Sequence, residues 1–301
     1  MHKHIRAHAK LNWALNILGM RQDGYHEMDM IMQPISLCDD LFFEEAPAGM
    51  LLLNGSEDNL VLRAARALHA FAHVDLGASI WLEKHIPARA GLGGGSADAA
   101  ATLVALNELW ELSLPMQTLC EIGRSLGADV PFCLMARPMR VQGLGERLTD
   151  IPSIPSLELV ILHPGGGLST PSMFRAWDEE RIHMVPADID ASIEALVRCD
   201  ISALWRSARN MFTDCAAEVL PEIPAALSAL RDAGADFAAM SGSGSAVFGA
   251  FTDASSADRA AQQLGHAAIR AHTLPCAIPS GGGEGGASRL DPSPPPEGIP
   301  A

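Results

Sequence analysis

The chain has 301 residues, of which 48% are hydrophobic and 19% are charged, a composition typical of a compact protein of about two domains. Its net charge of −15 argues against a nucleic-acid-binding surface, because such a surface needs a positive face. A local basic pocket for a phosphorylated small molecule is still compatible with this charge.

The sequence also indicates in which cellular compartment the protein is expected. The first twenty residues carry charges and histidines where a signal peptide needs an apolar run, and no stretch has the apolar length that a membrane span requires. The cysteines are scattered, with neither C-x-x-C pairs nor zinc-ligand spacing, which favours buried free thiols. They are Cys38, Cys120, Cys133, Cys199, Cys215 and Cys276. We therefore predict a cytoplasmic protein with no membrane partner.

The N-terminal part is predicted to contain strands, a turn and one helix. Residues 8–18 alternate polar and apolar side chains, as a half-buried strand does. The sequence R-Q-D-G at residues 21–24 indicates a turn, and residues 28–37 and 40–45 predict two further strands. A helix follows over residues 59–71, with Asp58 as its cap. Its predicted core face consists of Leu60, Ala64, Ala67, Leu68 and Phe71.

A glycine-rich segment is the most informative stretch of the chain. A predicted strand over residues 78–83 leads into residues 87–100, P-A-R-A-G-L-G-G-G-S-A-D-A-A. A helix-forming run begins at Asp98 and directs Ala99, Leu103, Leu106 and Trp110 to the core. Glycines allow a close approach of the backbone to a ligand, and the helix start supplies unpaired N–H groups. This pattern predicts a phosphate-binding loop, although it is neither G-x-G-x-x-G nor G-x-x-x-x-G-K-[ST]. The alternative is a tight turn beside a closely packed helix.

The remaining elements predict an α+β fold. A helix runs from Ser113 and Pro115 to Gly127, and a strand over residues 157–162 ends at a turn over residues 163–167. Helices dominate residues 188–233. Two strands, at residues 236–240 and 245–251, flank the turn S-G-S-G-S, and a helix covers residues 255–264. Because strands and helices do not alternate strictly, a doubly wound sheet is disfavoured.

Two side chains are candidates for phosphoryl-transfer chemistry, which needs positioning, charge neutralisation and a group that orients the attacking hydroxyl. Lys10 lies in the middle of the first strand, and Asp129 lies among apolar residues. A lysine beside this aspartate would keep it ionised and stabilise negative charge on the nucleophile. The alternatives are that Lys10 extends to solvent at a strand edge and that Asp129 is an ordinary helix cap.

Two further motifs are open to more than one interpretation. Tyr25, the single tyrosine, precedes His26 just after a turn, and the two rings could bind a base or merely fill the edge of the core. The second small-residue turn, residues 241–245, could be a simple hairpin. Its alternative role is to form a second wall around the phosphates held by the glycine-rich loop.

Taken together and in this order, the motifs resemble those of the GHMP small-molecule kinases. The shared segments are A-K-L-N at residues 9–12, R-Q-D-G-Y-H-E at 21–27, the glycine-rich loop, G-A-D-V-P-F at 127–132 and M-S-G-S-G-S-A-V-F at 240–248. The resemblance covers residues 7–275. Within the superfamily, the chain is most similar to members that phosphorylate the 2-hydroxyl of a cytidine-diphosphate-linked methylerythritol in isoprenoid precursor biosynthesis.

This resemblance implies the two-domain GHMP kinase fold, with a ribosomal protein S5 domain 2-like first domain and a ferredoxin-like second domain. The corresponding boundaries are residues 1–153 and 154–279. Residues 280–301, rich in glycine and proline, cannot bury enough apolar surface to offset the entropy of ordering and predict a disordered tail. The resemblance also implies Asp129 as general base and Lys10 as its partner. Implied ATP-binding residues are Asn59, Lys84, Pro87, Gly91, Leu92, Gly93, Gly94, Gly95, Ser96, Gly242, Ser243 and Gly244. Implied substrate-binding residues are Asn12, Tyr25, His26, Thr170 and Phe174.

The resemblance also implies ATP as co-substrate and Mg²⁺ held by the nucleotide, with no metal-ligating residues of the protein. Two positions depart from the family pattern: Ala97 replaces a second hydroxyl residue, and Arg89 stands where a small or apolar residue is usual. Homoserine or mevalonate as substrate, or a catalytically silent nucleotide sensor on the same fold, are the alternatives. An aromatic platform at Tyr25 and His26 favours a pyrimidine, and the presence of both Lys10 and Asp129 favours an enzyme. The sequence leaves the oligomeric state open.

Overall fold

The structure is a computed structural model that describes residues 2–54, 59–180 and 185–276. One sheet is formed by β1 (His2–Met20), β2 (His26–Ala46), β3 (Leu51–Leu53), β4 (Gly77–Glu83), β5 (Met139–Gly143) and β6 (Arg147–Asp150). A second is formed by β7 (Glu158–Leu162), β8 (Phe237–Met240), β9 (Val247–Phe251) and β10 (Ala268–His272). The helices are α1 (Leu60–Ala72), α2 (Gly94–Leu109), α3 (Met116–Leu126), α4 (Val130–Met135), α5 (Thr170–Glu180), α6 (Ile189–Val197), α7 (Ile201–Ser207), α8 (Thr213–Val219), α9 (Glu222–Asp232) and α10 (Ala254–Leu264).

A long antiparallel hairpin of β1 and β2 carries the first sheet. Two expectations about it were wrong. Strand β1 is not half-buried, because residues 9–17 are buried on both faces. Nor is β2 divided at residue 38: β1 pairs with it on both sides of that point, while β5 pairs with its first part and β4 with its second. The register of the β1–β2 pairing shifts at three bulges, between His8 and Lys10, Asn12 and Ala14, and Ile17 and Gly19.

The predicted helix after residue 58 is present, but its cap and its core face differ from the prediction. Asn59 is the cap, and its side chain accepts a hydrogen bond from the N–H of Val61; Asp58 lies outside the described residues. Phe71, predicted to face the core, is 49% exposed. Val61 and Ala65 are buried instead, because α1 is oriented by its packing on α2 rather than by residue periodicity alone.

The second sheet has the strand order β10-β7-β9-β8 with antiparallel neighbours. Its strands and helices follow the order of a ferredoxin-like unit, strand–helix–strand–strand–helix–strand, with additional helices in the first crossover. The predicted α+β class is confirmed. Trp13 of β1 contacts Phe248 of β9 edge to face, at 5.3 Å between ring centroids, so the first hairpin also packs on the second sheet. The division at residue 153 stays a prediction, and the tail over 280–301 lies outside the described residues.

All six cysteines lie in the described part of the chain, and none is in a disulfide there, as predicted. Burial was predicted for all of them, but it holds for Cys133 and Cys215, whereas Cys276 is exposed and the others are half-buried. Among the described helices, none combines the length and the apolar character that crossing a bilayer demands.

Candidate active site

Most of the predicted site residues line one cleft, with a volume of about 1360 Å³. This volume is larger than a pocket for a single small ligand usually needs, and it leaves room for two substrates. Gly244 is the exception: it does not line the cleft, and it packs against Met240 and Leu168. The predicted residues that line the cleft are Lys10, Asn12, Tyr25, His26, Asn59, Lys84, Pro87, Gly91, Leu92, Gly93, Gly94, Gly95, Ser96, Asp129, Thr170, Phe174, Gly242 and Ser243.

The glycine-rich loop ends in a helix N-terminus at the cleft. Helix α2 begins at Gly94, inside the glycine run, and Gly93 is its cap with a positive φ of 70°. No cap side chain accepts a hydrogen bond from the first-turn amides. The N–H groups of Gly94, Gly95 and Ser96 therefore belong to the helix end that attracts anions.

The glycine-rich loop and the turn at residues 241–245 contact each other through backbone and hydroxyl hydrogen bonds. The backbone of Gly91 has φ 76°, and a Cβ there would lie 2.1 Å from the carbonyl oxygen of Ser241. The Ser241 hydroxyl donates a hydrogen bond to the Gly91 carbonyl at 3.0 Å, and the N–H of Ala246 donates to Ala90 at 3.0 Å. Residues 241–245 are thus a wall of the glycine-rich loop rather than an isolated hairpin turn.

This contact predicts the result of replacing Gly91 with alanine. The Cβ would clash with backbone that cannot move away cheaply, so we expect a loss of unfolding free energy on the order of 2–4 kcal/mol, measured by denaturant unfolding. Gly234→Ala is the matched control, since Gly234 also has a positive φ (90°) but nothing within 4 Å of the added Cβ. Equal losses in both variants would mean that backbone conformation, and not the junction of the loops, requires Gly91.

Lys10 and Asp129 meet in the cleft. The Lys10 ammonium nitrogen lies 3.4 Å from Asp129 Oδ2 and donates to Asn12 Oδ1 at 2.8 Å. The Lys10 side chain is 6% exposed and that of Asp129 is 28% exposed. Asp129 occupies the cap position of α4, as its alternative interpretation required, but its side chain makes no capping hydrogen bond. Its carboxylate is therefore directed to other partners, of which Lys10 is one.

Lys10 contacts both the glycine-rich loop and the turn at residues 241–245. Its backbone N–H donates to the Leu92 carbonyl at 2.9 Å. A Cβ on Gly93 would lie 2.9 Å from Lys10 Cγ, and a Cβ on Gly242 would lie 3.2 Å from Lys10 Nζ. The two glycines thus leave the space through which the lysine side chain reaches Asp129.

Lys84, Asp39 and Asp98 form a second charged cluster next to residues 84–86, which lead into the glycine-rich loop. The sequence analysis identified Lys84 but neither aspartate. The Lys84 ammonium contacts the carboxylates of Asp39 and Asp98, the latter at 2.7 Å. Asp39 is fully buried and also accepts hydrogen bonds from the N–H groups of His85, at 2.5 Å, and Ile86, at 2.8 Å. Asp98 Oδ1 is buried without a hydrogen-bond partner among the described residues.

The sharing of one ammonium by two buried carboxylates affects their protonation. Burial raises the pKa of Asp98 to about 7 and the Asp39 charge adds to this effect, while Lys84 opposes it. The pKa of Lys84 is also raised, since the two carboxylates outweigh the lowering that burial causes. The lysine therefore stays positive in the folded protein.

Asp98→Asn should change how stability depends on pH. Because the folded-state pKa of Asp98 lies above its unfolded value, the wild type loses stability as pH rises from about 4 to about 7. The variant lacks this loss, so its stability relative to wild type should increase over that range, on the order of 1–3 kcal/mol, in denaturant unfolding at both pH values. Asp150→Asn is the control, because Arg137 lowers the pKa of this exposed carboxyl. A pH-independent difference for Asp98→Asn would contradict the prediction.

The residues predicted to bind the base also line the cleft. Tyr25 is 65% exposed, whereas His26 is buried and stacks on Phe174 at 4.4 Å between ring centroids. Thr170 Oγ1 lies 2.9 Å from Ser243 Oγ and so links α5 to the second loop. Asn12 lines the same cleft, and its Oδ1 accepts a hydrogen bond from the Lys10 ammonium at 2.8 Å.

Comparison with known proteins identifies the architecture. The sequence matches the GHMP kinases N terminal domain over residues 59–137 and the GHMP kinases C terminal domain over residues 192–270. It is 42% identical over 262 residues to a 4-diphosphocytidyl-2-C-methyl-D-erythritol kinase of Pelotomaculum thermopropionicum, covering 85% of this chain and 91% of that protein.

Solved structures of related kinases show the same architecture. A crystal structure of 4-(cytidine 5'-diphospho)-2C-methyl-D-erythritol kinase is 35% identical with a TM-score of 0.78, covering 94% of this chain and 100% of the other. A homoserine kinase from Cytophaga hutchinsonii is 17% identical with a TM-score of 0.73, covering 93% of this chain and 96% of the other. This second similarity shows the shared fold alone.

Proposed function

The chain belongs to the GHMP kinases, in the family of the 4-diphosphocytidyl-2-C-methyl-D-erythritol kinases, and we propose that it transfers the γ-phosphoryl group of ATP to the 2-hydroxyl of 4-diphosphocytidyl-2-C-methyl-D-erythritol. The observation that carries the proposal is the contact of Lys10 with Asp129, at 3.4 Å, in the cleft that also contains the N-terminus of α2. The identity of 42% to a relative of that name supports the substrate.

The positions of the site residues support the following proposed roles. Asp129 accepts the proton of the attacking hydroxyl as general base. The Lys10 ammonium stabilises the negative charge that develops on that oxygen. The N–H groups at the start of α2 hold the transferred phosphates of ATP, with Gly242 and Ser243 as the opposite wall. Catalysis thus consists of positioning and charge stabilisation, as phosphoryl transfer requires.

Mg²⁺ neutralises phosphate charge when it is bound to the nucleotide. The acidic residues that contact the loop region fit an ion held chiefly by phosphates, because Asp98 is paired with Lys84 and Asp129 with Lys10. Ser96 lies in the first turn of α2, next to the loop amides, and its hydroxyl is the side-chain group that we propose to be nearest to the ion. No group of three or more acidic, histidine or cysteine side chains suited to a metal occurs in the described part.

Asn59 and Lys84 are proposed to contact the adenine, since both line the cleft near the start of α2. Tyr25 and Phe174 are proposed as aromatic walls for the cytosine, and Phe174 also stacks on His26. Arg89 also lines the cleft, beside the glycines. Cysteines without disulfides in the described part of the chain suit a reducing compartment, and we propose a cytoplasmic location.

The proposal is tested by comparing substrates. Purified protein is assayed for ADP release with ATP and, in turn, the cytidine-diphosphate-linked methylerythritol, homoserine and mevalonate. We expect kcat/KM to favour the cytidine compound by at least about 10²-fold, since the other two lack the base. A preference for homoserine or mevalonate would exclude the proposed substrate, and tight ATP binding without turnover of any of the three would favour a nucleotide sensor.

A further inference from the structure

The imidazole of His26 is fixed on three sides by one face of α5. It stacks on Phe174 with an interplanar angle of 10° and meets Trp177 edge to face, at 5.6 Å between ring centroids. Its Nε2 lies 2.8 Å from Asp178 Oδ1. Residues 174, 177 and 178 are three and four positions apart and therefore share a helix face. With its side chain 6% exposed, His26 has little freedom to rotate.

The contact with Asp178 decides which nitrogen carries the proton. A carboxylate oxygen accepts hydrogen bonds, so the facing Nε2 must be the donor. In a neutral imidazole the other nitrogen, Nδ1, is then an acceptor. Within residues 2–54, 59–180 and 185–276, no hydrogen bond occupies Nδ1. The ring therefore has one polar atom left for a ligand, and it is a lone pair.

We propose that Asp178 is a positioning residue that holds His26 in the Nε2-protonated tautomer, so that Nδ1 accepts a hydrogen bond from the exocyclic amino group of cytosine. This inference rests on the proposed function, because it assigns the cytidine to the cleft beside His26. Uracil differs from cytosine in presenting a carbonyl oxygen in place of that amino group. Two acceptors would then face each other, and both would be left without a hydrogen bond. Asp178 thereby makes the site selective for cytidine over uridine.

The experiment measures base selectivity with CDP and UDP as binding probes, by titration calorimetry at one fixed pH. We expect the wild type to bind CDP about 10- to 100-fold more tightly than UDP. In Asp178→Asn the amide can accept from or donate to Nε2, so both tautomers become available and the selectivity should fall toward parity. Asp178→Glu should restore part of it, and Glu179→Gln, a change at the neighbouring exposed residue, should leave it intact.

A spectroscopic readout separates tautomer control from loss of structure. Long-range ¹H–¹⁵N correlation spectra of ¹⁵N-histidine-labelled protein distinguish the two tautomers, and the His26→Gln variant identifies the His26 signals. We expect the Nε2-protonated pattern in the wild type and a mixture in Asp178→Ala. With saturating cytidine substrate, kcat of Asp178→Asn should stay near wild type while KM for that substrate rises.

Three results would overturn the inference: equal binding of CDP and UDP by the wild type, unchanged selectivity in Asp178→Asn, or Nδ1 protonation in the wild type. These results are distinct from failure of the proposed function. A protein that binds CDP selectively and loses this selectivity in Asp178→Asn, yet phosphorylates none of the three alcohols, would retain the role of Asp178 and refute only the kinase substrate.

Discussion

Asp129→Asn is expected to reduce kcat by about 10³-fold, because an amide has nearly the same shape as the carboxylate but cannot accept the proton of the attacking hydroxyl. The affinity for ATP should change little, since the amides at the start of α2 do not depend on Asp129. Steady-state kinetics with both substrates, together with thermal unfolding, measure the two properties. Folding should be preserved, because the Asp129 side chain is 28% exposed and caps no helix amide.

Asp214→Asn is the matched control for this loss of charge. Asp214 lies in the first turn of α8, so it shares with Asp129 a position at a helix N-terminus, but it does not line the cleft. Its substitution should leave kcat unchanged. If Asp129→Asn kept turnover within about tenfold of wild type, the general-base assignment would be wrong, because removing such a base costs about 10²- to 10⁴-fold.

Features with a local signal were predictable from the sequence. The glycine-rich loop, the end of α3 at Gly127 and the pair of strands around residues 241–245 all appear where expected, although α2 begins earlier than predicted, at Gly94 inside the glycine run. In each, glycine or a helix boundary determines the local backbone conformation. The closeness of Lys10 to Asp129 has no such signal, since 118 residues separate them in the chain. It was anticipated from the charge pairing that phosphoryl transfer needs and from the family resemblance.

Features that depend on tertiary pairing were missed. The continuity of β2 is set by β1, which pairs with it over almost its whole length, and no pattern within residues 28–45 reveals this. Asp39 lies in the same strand without a motif, yet it organises Lys84 and the backbone before the loop. Asp178 was missed for a similar reason: its partner His26 belongs to a distant hairpin. A buried carboxylate becomes recognisable as functional only when its partners are known.

Lys10→Met is the second large effect that we expect, with kcat reduced by about 10²- to 10³-fold. Methionine keeps an unbranched apolar stem against Gly93 and removes only the ammonium. Because the Asp129 carboxylate is partly exposed, water can solvate it in the variant, and the fold should survive. Lys3→Met is the control: Lys3 lies in the same strand but pairs with Glu108 outside the cleft.

A double-mutant cycle shows whether Lys10 and Asp129 act together. If the ammonium works by stabilising charge at the oxygen that Asp129 deprotonates, each single substitution disables the same step. The double variant Lys10→Met/Asp129→Asn should then be hardly slower than Asp129→Asn alone, since residues that act as a unit are strongly non-additive. Multiplied losses in kcat would instead mean that Lys10 acts on the phosphates independently of the base. The contact between the two side chains would in that case be structural, and the mechanism would need another partner for Asp129.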